Sequence, residues 1–227
     1  MFKYEMHIHS SPCSGGGDDI ENHIRTLIAK GYSGMVITNH FIFGDTGIDR
    51  SLPWDKFVEE YKEDYLRGRR LADELDFDLL FGIEEHIGSG REILIYGITP
   101  EFLLKNPQLR YAEAREYADA VHKVGGLVFQ AHPYRDRYYI AEPGPLSELD
   151  ILDGIEVFNA SNKPEENKMA SRLARERGLR CVAGSDGHSA DSAGRSGILT
   201  TDRIRTNEQL IDVLKNGKYE LYIPSEK

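Results

Sequence analysis

Apolar residues follow two rhythms along the chain: short unbroken runs, and stretches where they return every third or fourth position. The first rhythm reads as buried strand, the second as amphipathic helix. Residues 3–8 form the first expected strand. Residues 18–30 form a helix with Ile20, Ile24, Leu27 and Ile28 on one face, stopped by Gly31. A short strand follows at 35–38. Next comes a long helix at 55–75 that turns Val58, Tyr61, Tyr65 and Ala72 to a core. Strands are expected at 79–83 and 93–96, then a helix at 111–124 ended by Gly125 and Gly126. Further strands fall at 127–129, 155–158 and 181–183. Pro164 and Gly178 bracket a helix between the last two. Thr206 and Gln209 resemble a capping box for a final helix that Gly217 stops.

Short apolar strands alternating with helices imply a mostly parallel sheet covered by helices. An open sheet and a closed barrel both satisfy the pattern. A chain of 227 residues is long enough for one sizeable core, so a single domain over 1–227 is expected. No apolar run approaches a membrane span, and the first residues, MFKYEMHIHS, lack the basic-then-apolar order of a signal peptide. Cys13 and Cys181 give no disulfide framework, which makes a reducing cytoplasm the default expectation. The formal net charge of −10 argues against nucleic-acid polymers and anionic lipid surfaces as partners. A small phosphorylated substrate is still compatible, because divalent cations in a pocket reverse the sign locally.

Five of the eight histidines fall at or just past the C-terminal end of an expected strand: His7, His9, His40, His132 and His188. Glu84 ends another strand, and Asp186 precedes His188 by two positions. Any one of these could be a hydrogen-bonded structural residue. In a parallel barrel, however, all such ends meet on one face, where catalytic groups collect. That recurrence favours a shared metal site. His7 and His9, two apart on a strand, point the same way and form a chelating pair. Imidazole and carboxylate ligands suit Zn, Mn or Fe. A carboxylate such as Glu84 can bridge two ions, and ions roughly 3.5–4 Å apart can clamp attacking and leaving oxygens together.

Taken in order, the strings HIH, TNH, GIEE, AHP, IEVFNA and SDGH, running from residue 7 to 188, resemble the PHP family, named for its polymerase and histidinol-phosphatase members. The resemblance implies a distorted (β/α)7, TIM-like barrel of PHP type. It also implies two or three divalent ions at the C-terminal strand ends, and hydrolysis of phosphate esters. By position, His7, His9, Glu84 and Asp186 would hold one metal. Glu84 and His132 would share a second, and His40 and His188 would contribute to a third. Metal-activated hydroxide would be the nucleophile, with no free side-chain base assigned.

Three positions depart from the family pattern. Leu94 stands where a histidine ligand is often found, which leaves His86 as a substitute. Ser14 stands where His or Asp is common, with Cys13 and Asp18 nearby. Asn39 replaces the usual Asp before His40. Arg135 and Arg195, on strand-end loops, have the fork that grips phosphate, and Asn159 ends a strand where it could touch substrate or organise a loop. His23 and His122 sit on helices and read as structural. The leading expectation is a metal-dependent phosphoesterase for small phosphate monoesters or nucleotide phosphates. The alternatives are a C–N bond hydrolase on a similar metal barrel and a non-catalytic binding domain that kept the motifs.

Overall fold

The structure, a computed structural model, describes residues 1–15 and 17–224. Among the described residues nine strands join one sheet: β1 (Phe2–Glu5), β2 (Gly34–Ile37), β3 (Asp78–His86), β4 (Glu92–Tyr96), β5 (Leu127–Gln130), β6 (Gly154–Asn159), β7 (Arg180–Gly184), β8 (Gly197–Thr200) and β9 (Glu220–Tyr222). Their spatial order is β7-β6-β5-β4-β3-β2-β1-β8-β9. The helices are α1 (Ile20–Ala29), α2 (Trp54–Glu74), α3 (Pro100–Lys105), α4 (Ala114–Lys123), α5 (Pro164–Arg177) and α6 (Asn207–Asn216).

Side chains alternate across the strands, and the two faces build two cores. Tyr4, Met6, Val36, Leu80, Leu94, Phe129, Val182 and Ile198 pack together on the inner face. Their neighbours Leu79, Phe81, Ile83, Ile93, Ile95 and Val128 pack outward with the helices. The sheet curls until β7 meets β1: Asp186 N donates to His7 O at 2.7 Å, and His9 N donates to Gly187 O at 3.0 Å. The result is the expected distorted TIM-like barrel, nearly closed.

Helix ends follow local chemistry. Asp19 caps α1 by accepting from Asn22 N. Pro164 opens α5, and Gly178 closes it at φ 64°, a left-handed conformation that a side chain would disfavour. Thr206 and Gln209 form the expected capping box of α6. Among the described residues no helix is long and apolar enough to cross a membrane.

The structure corrects several boundaries. β1 stops at Glu5, and the chain bends at His7 instead of continuing as strand to residue 8. The helix expected from 111 starts at Ala114, after a 3-10 turn over Pro107–Tyr111. β8, β9 and α3 are additional. β4 runs antiparallel to both β3 and β5. The hairpin over residues 87–91 therefore returns the chain to the rim at which β3 ends, with direct consequences for the site.

Candidate metal centre

The bend after β1 carries His7 and His9 to the rim. β3 carries Glu84, and the turns after β5 and β7 carry His132 and Asp186. His132 and Asp186 adopt positive φ, 25° and 51°. Such strained backbone in non-glycine residues is held only where the surroundings over-determine it, and it clusters at functional sites. Gly184 leaves room for the cluster, since a Cβ there would lie 2.3 Å from the His7 Cβ.

The convergence is close. His7 Nε2 lies 3.1 Å from His9 Nε2, 3.1 Å from Glu84 Oε1 and 3.6 Å from Asp186 Oδ1. His9 Nε2 lies 3.1 Å from Asp186 Oδ1 and 3.4 Å from Glu84 Oε2. His132 Nε2 is 3.1 Å from Glu84 Oε1. Donors placed about 2.0–2.2 Å from a tetrahedral ion sit roughly 3.4 Å from one another, so these spacings match the edges of a coordination shell. A third group, His9, His40 and His188, brings one ring nitrogen from each within 4.8 Å of the others. Their rings stack face to face, with centroids 4.2 Å (His9–His40) and 4.4 Å (His9–His188) apart.

Two atoms carry the test of fit. His40 Nδ1 lies 3.0 Å from Glu84 Oε2, yet among the described residues neither atom has a hydrogen-bond partner, because the pair is close but misaligned for sharing a proton. Buried polar atoms are rarely left unpaired. Orphaned lone pairs aimed into a cluster of imidazoles and carboxylates fit a divalent transition metal.

Other buried groups hold the donors in place. With its Nδ1 protonated, His7 donates to Glu156 Oε1 at 2.9 Å, which leaves Nε2 free for the cluster. Glu156 Oε2 accepts from His132 N at 3.0 Å, so one carboxylate braces two candidate ligands. Ser14 Oγ accepts from His40 N at 3.0 Å and lies 3.3 Å from His9 Nδ1. Asn39 Oδ1 accepts from Ser10 N, and its Nδ2 donates to Asp64. Glu5 accepts from Ser185 and His7 backbone N–H groups and splints the ends of β7 and β1 together.

The charges interlock. Burial opposes protonation of His7, but the carboxylates of Glu84, Glu156 and Asp186 overcome it and raise its pKa well above the usual imidazole value. Burial likewise opposes ionisation of Asp186, while Arg135 and His7 hold it well below the usual carboxylate range. His9 goes the other way: burial and the neighbouring His40 push its pKa well down, keeping it a neutral donor.

A cavity of about 600 Å³ opens onto the cluster, lined by His40, Glu84, Asp186 and His188 on the floor and by Arg135, Arg137, Tyr138 and Tyr139 on the wall. Arg135 is buried there, not a surface ion pair: Nη2 donates to Asp186 Oδ2 at 2.5 Å and Nε to Asn162 Oδ1 at 2.9 Å. Asn159 is fully buried and donates to Glu156 and Asp186, so it organises the acids and does not line this cavity. Arg195 is exposed and is not among the lining residues. Its backbone N–H engages the region by donating to Ser185 Oγ.

His86 does not take the place left by Leu94. It lines a separate cavity, and its ring faces the Gly88 and Gly90 N–H groups of its own turn, one of which its single unprotonated nitrogen accepts. Leu94 packs in the inner core, directly across from Glu84. The residue that reaches the cluster is Glu92, with Oε2 3.3 Å from His132 Nε2 and Oε1 3.7 Å from His40 Nδ1. The signal was period-two alternation: position 92 shares Leu94's face, one step nearer the rim, once β4 is known to run backwards. Cys13 is buried and donates to Tyr61 O, and Asp18 accepts from Ala190 N, so neither enters the cluster. His122 pairs with Asp153, and His23 is buried on α1.

Comparison with known proteins agrees with this picture. Residues 164–219, about a quarter of the chain, match the family described as PHP-associated. Comparison with curated proteins gives no match. Among solved structures, a two-domain protein from Bacteroides vulgatus containing a predicted PHP-like metal-dependent phosphoesterase superposes with a TM-score of 0.73 at 17% identity. The match covers 98% of this chain and 64% of that one, so this chain spans under two thirds of its length. An amidohydrolase from Chromobacterium violaceum, solved with bound sulfate and no metal, gives 0.63 at 15% identity, covering 96% and 97%. A lesion-specific endonuclease from Pyrococcus furiosus gives 0.65 at 14% identity, covering 97% and 57%. The chain therefore has the fold of the PHP-like metal-dependent phosphoesterases, and the PHP-associated match agrees with the resemblance of its motifs to the PHP family.

Proposed function

We propose that this chain is a metal-dependent phosphoesterase acting on small phosphate monoesters, nucleotide phosphates among them. The observation that carries the reading is the pairing of a buried His and carboxylate cluster with arginines in one cavity. An amide hydrolase needs the ions but no cations beside them. Here Arg135 and Arg137 both line the wall.

In this reading His7, His9, Glu84 and Asp186 hold one ion, Glu84 and His132 contribute to a second, and His9, His40 and His188 offer a third position. Bound divalent ions supply a polarised phosphoryl oxygen and a water activated near neutral pH. Arg135 has two tasks. Its Nη2 grips Asp186 Oδ2, so Oδ1 is the oxygen turned to His7 and His9. Its Nη1, with no partner among the described residues, is free for a phosphate oxygen. At the mouth, Tyr138 is fully exposed and Tyr139 half exposed, their rings 5.3 Å apart and nearly perpendicular. Exposed aromatic faces suit a planar leaving group such as a nucleobase or aryl ring.

The test is hydrolysis of p-nitrophenyl phosphate and nucleoside monophosphates by purified protein. EDTA is expected to abolish turnover, and Mn2+ or Zn2+ to restore it. Lack of turnover across a phosphatase panel with every divalent ion tried would overturn the reading.

A further inference from the structure

We propose that Glu92 is a metal ligand, occupying the second ion position with Glu84 and His132 and giving it two carboxylates to one imidazole. This inference rests on the metal-centre reading above but not on the phosphoesterase reading.

The geometry begins with the β3–β4 hairpin. Glu84 lies across from Leu94, and His86 across from Glu92. Glu92 and Leu94 are two apart and share the inner face, while Ile93 and Ile95 between them pack outward. Leu94 sits one layer down, in the apolar interior. Glu92 stands at the rim, where its carboxylate spans two imidazoles: Oε2 is 3.3 Å from His132 Nε2 and Oε1 is 3.7 Å from His40 Nδ1. Among the described residues Glu92 makes no hydrogen bond that would explain a carboxylate held there. Glu84 and His40, whose Oε2 and Nδ1 are unpartnered among the described residues, form a group with Glu92 in which one ligand atom from each lies within 4.8 Å of the others. A second, largely covered acid beside Glu84 is costly unless a cation lies between them.

Ligand chemistry follows. Carboxylate oxygens suit Mn2+ and Mg2+, whereas imidazole nitrogens suit Zn2+. Exchanging nitrogen for oxygen at this position shifts its preference toward Mn2+. His86, the other candidate, is committed to its own turn and is not needed.

The experiment counts ions on metal-free protein by dialysis against Mn2+ or Zn2+ and elemental analysis, with affinities from calorimetry. Glu92→Gln is expected to lose one Mn2+ per chain, or to bind it at least 10-fold more weakly. Glu92→His is expected to recover the ion with its preference moved toward Zn2+. His86→Gln is expected to change neither number. Melting curves of the metal-free variants, expected to lie no lower than wild type because Glu92→Gln relieves the repulsion with Glu84, separate ligand loss from misfolding. An unchanged Mn2+ count and affinity in Glu92→Gln overturns the proposal, as does loss of the ion in His86→Gln. Because no substrate is used, failure of the phosphatase assay with normal ion counts would sink the function and leave this inference standing.

Discussion

One carboxylate, Glu156, accepts from both His7 Nδ1 and the backbone N–H of His132. Neither task touches substrate, yet both fix where a candidate ligand points. Glu156→Gln keeps the shape but supplies only one accepting oxygen, so its amide N–H must oppose one of the two donors. Outer partners of metal-bound histidines typically contribute about 10–100-fold in metal affinity. Calorimetric titration with Zn2+ is expected to show a loss of that size with an unaltered fold by circular dichroism. Unchanged affinity would count against the bracing role. At this scale the convergence of the seven candidate residues was legible because each falls at or near an expected strand end, and strand ends converge in a barrel. Glu92 was not legible. Its neighbour at 94 drew attention as a missing histidine, and only the direction of β4 shows that the acid two positions earlier reaches the cluster. Arg195, on a loop, and Asn159, ending a strand, were legible as polar residues, but which way such side chains aim is decided by packing that spacing does not encode.

β3 shows how one strand serves two purposes. Glu84 faces inward to the cluster, and Glu85 faces outward, fully buried under Tyr117. Burial pushes the Glu85 pKa up to about 8, despite hydrogen bonds from Phe43 N and His86 N that favour the ionised form. A carboxyl with a raised folded-state pKa contributes stability below its unfolded value, and loses it as pH rises through the folded one. Metal-free protein is therefore expected to lose stability on Glu85's account between about pH 4.5 and pH 8. Each pKa unit corresponds to about 1.4 kcal/mol, enough to read in urea titrations. Glu85→Gln imitates the protonated acid: its oxygen accepts the two N–H groups, while its amide donates to the Tyr117 hydroxyl, which itself donates to Leu109 O. The variant is expected to gain on wild type as pH rises from 5 to 9, and parallel curves would contradict the assignment. Among elements, the amphipathic helices were legible from periodicity and caps. β8 and β9 were not: Gly197–Thr200 holds two adjacent large apolar residues where β2 and β5 hold three, and the three-residue β9 is largely uncovered.

The whole molecule sets a negative surface against a site built for cations. Its net charge of −10 disfavours polyanions, while the rim gathers Glu84, Glu92 and Asp186 around histidine nitrogens and places Arg135 and Arg137 beside them. Ions bound there would make the cavity the positive spot on an acidic protein and draw a small phosphate inward. Barrel closure is what makes this possible, since His7 and Asp186 lie far apart in sequence and meet only when β7 returns to β1. The most direct test is anomalous diffraction at the manganese edge from crystals grown with Mn2+. The account predicts at least two peaks enclosed by His7, His9, Glu84, Glu92, His132 and Asp186. A well-ordered crystal with no peak within bonding distance of those side chains would contradict it.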